Sequence, residues 1–182
     1  MNRLVLLRTM IAPLILSVGV LATPALAQKK SPTEQATLLG QFGDWGAYKA
    51  DPGGKIVCFA LSKPTKGVTD PPGRSRDQAY AFISTRPAEK VKNEVSVIVG
   101  YPQKAGYDAE ATIDGSTKFT LYTQDDGAWV KNAAQEAQMV ATMRKGSQMV
   151  VTSESSRGTK TTDTYSLKGI SEALDKVSAE CK

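Results

Sequence analysis

Lys55-Ile56-Val57-Cys58-Phe59-Ala60-Leu61-Ser62 is apolar on both of its alternating sets of positions, Ile56, Cys58 and Ala60 on one and Val57, Phe59 and Leu61 on the other. A strand buried on both faces reads this way, so the segment is expected at the centre of a β-structure. It also carries one of the chain's two cysteines, and the other, Cys181, is the penultimate residue. The end of the chain is therefore expected to be tied back to this strand.

Whether the two cysteines pair depends on the compartment, and the N-terminus speaks to that. Arg3 and Arg8 make a basic start, Met10 to Leu21 is mostly apolar, and Ala25-Leu26-Ala27 is a small-x-small cleavage signal, so residues 1–27 read as a signal peptide cut after Ala27. A retained membrane anchor is the competing reading. The apolar run is about a dozen residues and is broken by Pro13, short of the ~20 needed to span a bilayer. The mature chain from Gln28 would then be periplasmic or secreted, with no transmembrane segment, and in such a compartment cysteines oxidise. With no third cysteine, Cys58 with Cys181 is the one possible intramolecular pair.

The 155 residues after the cut suit one domain with a substantial core. Losing Arg3 and Arg8 leaves 21 basic side chains against 18 acidic, a charge of +3 in place of +5. So mild a charge is no signature of nucleic-acid binding. The complete absence of histidine excludes more. Ser-His-Asp and Cys-His catalysis, His-ligated zinc and haem with a proximal His are all ruled out.

Working outward from Lys55–Ser62, the Asp51-Pro52-Gly53-Gly54 turn leads back to a short aromatic strand holding Trp45, a core anchor, and Tyr48. Residues 28–40 read as a polar, solvated arm, and residues 41–182 as the single folded domain. Downstream, alternation marks strands over Ala79–Thr85, Glu94–Gly100, Ala109–Ile113, Lys118–Leu121, Ala128–Val130, Ser147–Ser153 and Thr161–Leu167. Asp114-Gly115 is the residue pair favoured in a tight hairpin, and Asp125-Asp126-Gly127 makes another turn. Asn132 is a plausible N-cap with Gln135 three residues on, followed by a helix whose Ala133, Ala137, Val140 and Ala141 share a face. Met139 and Met143 read as packing rather than as a metal site. In the last helix Ile170, Leu174, Val177 and Cys181 share a face, which turns Cys181 toward the core. The expected fold is an all-β, single-domain antiparallel sandwich of about eight to ten strands with two short helices, the C-terminal one disulfide-tied.

Chemistry-bearing motifs are scarce. No GxSxG elbow, SxxK pair, Walker phosphate loop or GxGxxG fingerprint occurs. Asp114 and Asp125-Asp126 flank one strand about 23 Å apart at ~3.3 Å per residue, too far for a glycosidase pair. No catalytic residue, metal site or cofactor is assigned. The candidate binding segment is Lys63 to Asp77, read as a long exposed loop broken by Pro64, Gly67, Pro71, Pro72 and Gly73. It offers Lys63, Lys66, Arg74 and Arg76; Arg74 and Arg76, two apart in an extended chain, would project to one side and pair with carboxylate or phosphate. The alternative is that these charges only keep an irregular loop solvated.

Phe42-Gly43-Asp44-Trp45, Val57-Cys58-Phe59 after a Gly-Gly turn, Gly127-Ala128-Trp129, and Tyr165-Ser166-Leu167-Lys168-Gly169 through Ala173-Leu174 to Cys181 resemble the invasion-associated locus B family. The resemblance implies an exported bacterial protein with a mainly antiparallel β-sandwich, linked in some pathogens to entry into host cells, and brings no catalytic residues. The function expected is a non-enzymatic cell-envelope or secreted interaction protein with an envelope or host protein partner. A periplasmic binder of anionic glycans or lipid head groups, and an unrecognised enzyme, are the alternatives.

Overall fold

Val57–Ser62 is a strand buried on both faces, as its composition predicts, with Cys58 through Ser62 all buried, although it lies third from one edge of the sheet rather than at its centre. The computed structural model describes residues 32–182, so the expected signal peptide lies outside the described residues. Those residues form strands β1 (Thr37–Phe42), β2 (Trp45–Ala50), β3 (Val57–Ser62), β4 (Lys66–Asp70), β5 (Tyr80–Arg86), β6 (Val91–Ile98), β7 (Ala109–Ile113), β8 (Thr117–Gln124), β9 (Gly127–Val130), β10 (Gln148–Glu154) and β11 (Lys160–Ser166). Helices α1 (Ala133–Met143) and α2 (Ile170–Glu180) complete them.

All neighbours in the sheet run antiparallel, in the order β1-β2-β3-β5-β6-β9-β8-β7-β10-β11-β4. It is one ladder folded over on itself, the sandwich-type arrangement expected, with eleven strands in place of eight to ten. The inner face carries Ala47, Cys58, Ala60, Ile83, Val95 and Val97 in register across β2, β3, β5 and β6. The outer face of β3 is covered by its neighbours' rings: Tyr48 and Phe59 stack at 5.4 Å between centroids, and Phe59 and Phe82 meet at 5.8 Å. That double cover is why the segment is apolar at every position.

Both hairpin turns form where the sequence places them. Asp114 and Gly115 both adopt positive φ, 49° and 69°, and Ser116 N–H donates to Ile113 O at 3.2 Å. Asp125 turns at φ 52° between β8 and β9. The Asn132 side chain accepts from Gln135 N–H at 2.9 Å, which caps α1. Three of the four family-like segments meet, those around Trp45, Cys58 and the C-terminal stretch, while Gly127–Trp129 pairs with β6 and β8. Trp45, fully buried, donates from Nε1 to Ser166 O at 2.9 Å, and Asp44 N–H donates to Lys168 O at 3.0 Å. Gly169 (φ 89°) lies so close to the Phe42 carbonyl that a Cβ there would overlap it. On α2, Ile170, Ala173, Leu174 and Val177 are buried, and Cys181 is bonded to Cys58 with a Cα–Cα distance of 5.9 Å.

Three expectations need correction. The arm assigned to residues 28–40 ends in β1 from Thr37, which pairs along β2. The loop from Lys63 to Asp77 contains β4, whose five residues pair with β11 from Lys66↔Thr164 to Asp70↔Lys160. Both are edge strands, held by a backbone ladder on one side and largely exposed, so neither carries an alternating apolar signature. Finally, α1 buries Met139, Val140 and Met143 and leaves Ala137 and Ala141 exposed. The long thioether chains reach the core where alanine methyls do not.

Candidate functional site

The Lys63–Asp77 segment leaves β3, forms β4, and reverses at the cis Asp70–Pro71 peptide before returning across the molecule to β5. Its four basic candidates end in different places. Lys63 sits over the Tyr80 ring at 5.8 Å from the centroid. Lys66 is exposed on β4. Arg74 is exposed, with its backbone N–H donating to Thr69 Oγ1 at 3.3 Å.

Arg76 turns inward instead. Its guanidinium forms a bidentate pair with Asp163 on β11, and Nη1 also donates to Val99 O at 2.9 Å. The Asp163 side chain is 1% exposed and that of Arg76 14%. Burial works against the guanidinium's charge, but hydrogen bonding and attraction to Asp163 outweigh it and raise the Arg76 pKa above the ordinary arginine value. Gly67 makes room for the pair, since a Cβ there would lie 2.9 Å from Arg76 Nη2 and 3.0 Å from Asp163 Oδ1. Thus Arg74 and Arg76 do not project as one exposed pair.

What the structure does bring together is a cleft of about 590 Å³ between the Thr69–Asp77 segment, Gly100–Pro102, and the turn joining β10 to β11. Arg74, Arg76 and Arg157 line it with Ser75, Ser156 and Thr159, and Asp77 is the one carboxylate in the lining. A shallower recess of about 400 Å³ continues from Thr69, Arg74 and Arg76 along β4 to Pro72 and Gly73. Lys63 and Lys66 belong to neither lining.

The β10–β11 turn is stiff for local reasons. Ser155 Oγ accepts from the backbone N–H of Arg157 and Thr159 at 3.3 and 3.0 Å, and Ser156 N–H donates to Pro102 O at 2.9 Å. Nearby, Lys104 Nζ meets Glu154 at 2.7 Å, and Gln103 Nε2 donates to Gly127 O at 2.6 Å. The Tyr101 hydroxyl bonds to Thr161 Oγ1, and burial pushes its pKa up, so it stays protonated. The cleft therefore presents guanidinium and hydroxyl donors to solvent and no coupled acid–base pair. Among the described residues no group of acidic or thiol side chains gathers as a metal site would require, and no helix is long and apolar enough to cross a membrane.

Arg157 is the site residue that sequence reasoning missed. Its signal was slight: an arginine at a Ser-Arg-Gly-Thr turn that otherwise reads as a connector. Only the return of β11 alongside β4 sets it across from Arg74.

The fold has a solved counterpart. It resembles the crystal structure of invasion associated protein b from Bartonella henselae, with a TM-score of 0.54 and 17% sequence identity over 79% of this chain and 97% of that one. No curated protein matches the sequence. Residues 51–178, from the turn before β3 to near the end of α2, match the family model described as invasion associated locus B (IalB) protein. The chain belongs to the invasion associated locus B family.

Proposed function

We propose that this is an exported, non-enzymatic interaction protein of the cell envelope or the secreted fraction, which holds an envelope or host protein partner through acidic groups. Family membership supports an invasion-associated role, and the Cys58–Cys181 bond fits an oxidising compartment entered by way of a signal peptide cut after Ala27. The observation that carries the contact is Arg74, an exposed guanidinium on the rim of the cleft with no carboxylate partner among the described residues. Lys63 and Lys66 extend the basic surface along the same segment, while Arg76, locked to Asp163, holds the segment in place beneath it.

Chemical crosslinking in the native envelope tests this reading. Wild-type protein is expected to capture a protein partner, and Arg74→Ser to lose much of that capture in a salt-dependent way while keeping its melting temperature. Capture that is indifferent to Arg74→Ser removes the segment as the contact, and turnover in a hydrolase screen would replace the interaction reading by an enzymatic one.

A further inference from the structure

Five arginines lie among the described residues. Three of them hold carboxylates: Arg76 holds Asp163, Arg86 holds Glu89 and Glu94, and Arg144 holds Asp175. Arg74 and Arg157 hold none, and among the described residues their side chains make no hydrogen bond or ion pair. Both line the same cleft, Arg74 from the Thr69–Asp77 segment and Arg157 from the turn joining β10 to β11. Two guanidiniums left unpaired at random would not converge on one concavity whose lining is otherwise rich in hydroxyls.

The donors suit a compact tetrahedral anion. A planar carboxylate is satisfied by one bidentate guanidinium, whereas a phosphate has oxygens enough for two arginines and for hydroxyl donors besides. Ser155 Oγ already accepts two backbone N–H groups, which leaves its hydroxyl proton to donate. Arg76, which also lines the cleft, spends Nη1 on Val99 and Asp163 and one Nη2 hydrogen on Asp163, so its Nε–H has no described partner. A volume of about 590 Å³ is far more than a bare phosphate fills and falls within the range of small-molecule pockets, ~300–1,000 Å³.

We propose that this cleft binds a phosphate ester carried on a sugar- or glycerol-sized group, with Arg74 and Arg157 clamping the phosphate from two of its walls. The inference rests on the proposed function for the face that is used and names a ligand for it; Arg157 is its independent element. A bacterial envelope offers that chemistry from two sources, soluble or polymeric sugar phosphates and phospholipid headgroups.

The test is titration of the purified, oxidised protein with glucose 1-phosphate, with glucose as the uncharged control, and in parallel with vesicles of phosphatidylglycerol against phosphatidylcholine. Saturable binding of the phosphate ester is expected, weakened roughly tenfold by Arg74→Ser and again by Arg157→Ser, with melting temperatures unchanged. Lys145→Ser, on the exposed turn after α1, should bind as the wild type does. Binding of the soluble ester points to a saccharide source, and binding to anionic vesicles alone points to a lipid source. The inference is overturned if the wild type binds neither at millimolar concentration, if glucose binds equally well, or if Arg157→Ser leaves the affinity intact. Partner capture that depends on Arg74 but not on Arg157, without phosphate binding, would keep the proposed contact and reject this ligand. Phosphate binding that needs both arginines, with capture indifferent to Arg74→Ser, would do the reverse.

Discussion

Two positions separate Arg74 from Arg76, and their environments divide their roles. Arg74 faces solvent with no carboxylate among the described residues, while Arg76 neutralises Asp163, a carboxylate that is 1% exposed. Breaking a buried pair by removing one partner leaves the other charge uncompensated, which costs about 3–5 kcal/mol. Arg76→Met is therefore expected to lower unfolding free energy by about that much, whereas Arg74→Ser should stay within about 0.5 kcal/mol of wild type. Urea unfolding of the oxidised protein measures both. Equal effects from the two substitutions would mean that the Arg76–Asp163 pair does not hold the segment. The expectation that both arginines are surface groups fails at Arg76 because its partner lies 87 residues away, on a strand that reaches it only through the fold.

At the scale of elements, α1 is tied to the sheet by a carboxylate. Val95 N–H donates to Glu136 Oε1 at 2.7 Å across the α1–β6 contact. Burial raises the Glu136 pKa and Glu94 adds to the rise, against the opposing hydrogen bond from Val95 and the charge of Arg86. A carboxyl whose folded pKa is raised binds its proton more tightly in the native state than in the unfolded chain. Its contribution to stability is thus fully present below the ordinary carboxylate range and is lost as pH rises through the folded value. Glu136→Gln keeps an acceptor for Val95 and removes the titration. Its melting temperature relative to wild type is expected to rise as pH goes from about 4 to 7, which a series of thermal melts would show. A difference independent of pH would mean that Glu136 is not desolvated in the folded protein. The same helix offers a second check: Asn132→Ala should cost about 1 kcal/mol through loss of the cap to Gln135.

For the whole molecule, the Cys58–Cys181 bond links residues 123 positions apart and joins β3 to the end of the last helix. Cys58→Ser is expected to lower stability by about 2–5 kcal/mol, as loss of a native disulfide does in small secreted domains. Thiol titration of unreduced protein should find no free thiol, and intact mass should correspond to a chain beginning at Gln28. Two titratable thiols in exported material would mean that the bond does not form there.

Strands and helices that bury one or both faces carry a pattern along the chain itself, although α1 buries its methionines in place of the alanines that its spacing favours. Alternation, turn pairs and caps are local, so β3, the Asp114-Gly115 hairpin, the Asn132 cap and the buried face of α2 were legible as they stand. The disulfide was legible as well, because two cysteines leave a single pairing. The sheet's two edges and the cleft arise from pairings between segments, not from a pattern within one. β1 and β4 are held by main-chain ladders, which impose no side-chain pattern, and they appear only once β2 and β11 are there to pair with. Which arginine is neutralised and which is left to face a ligand depends on Asp163, and Arg157 comes to the same concavity as Arg74 from 83 positions further along the chain. Such charge pairings act between residues remote in sequence, and a local pattern carries no record of them.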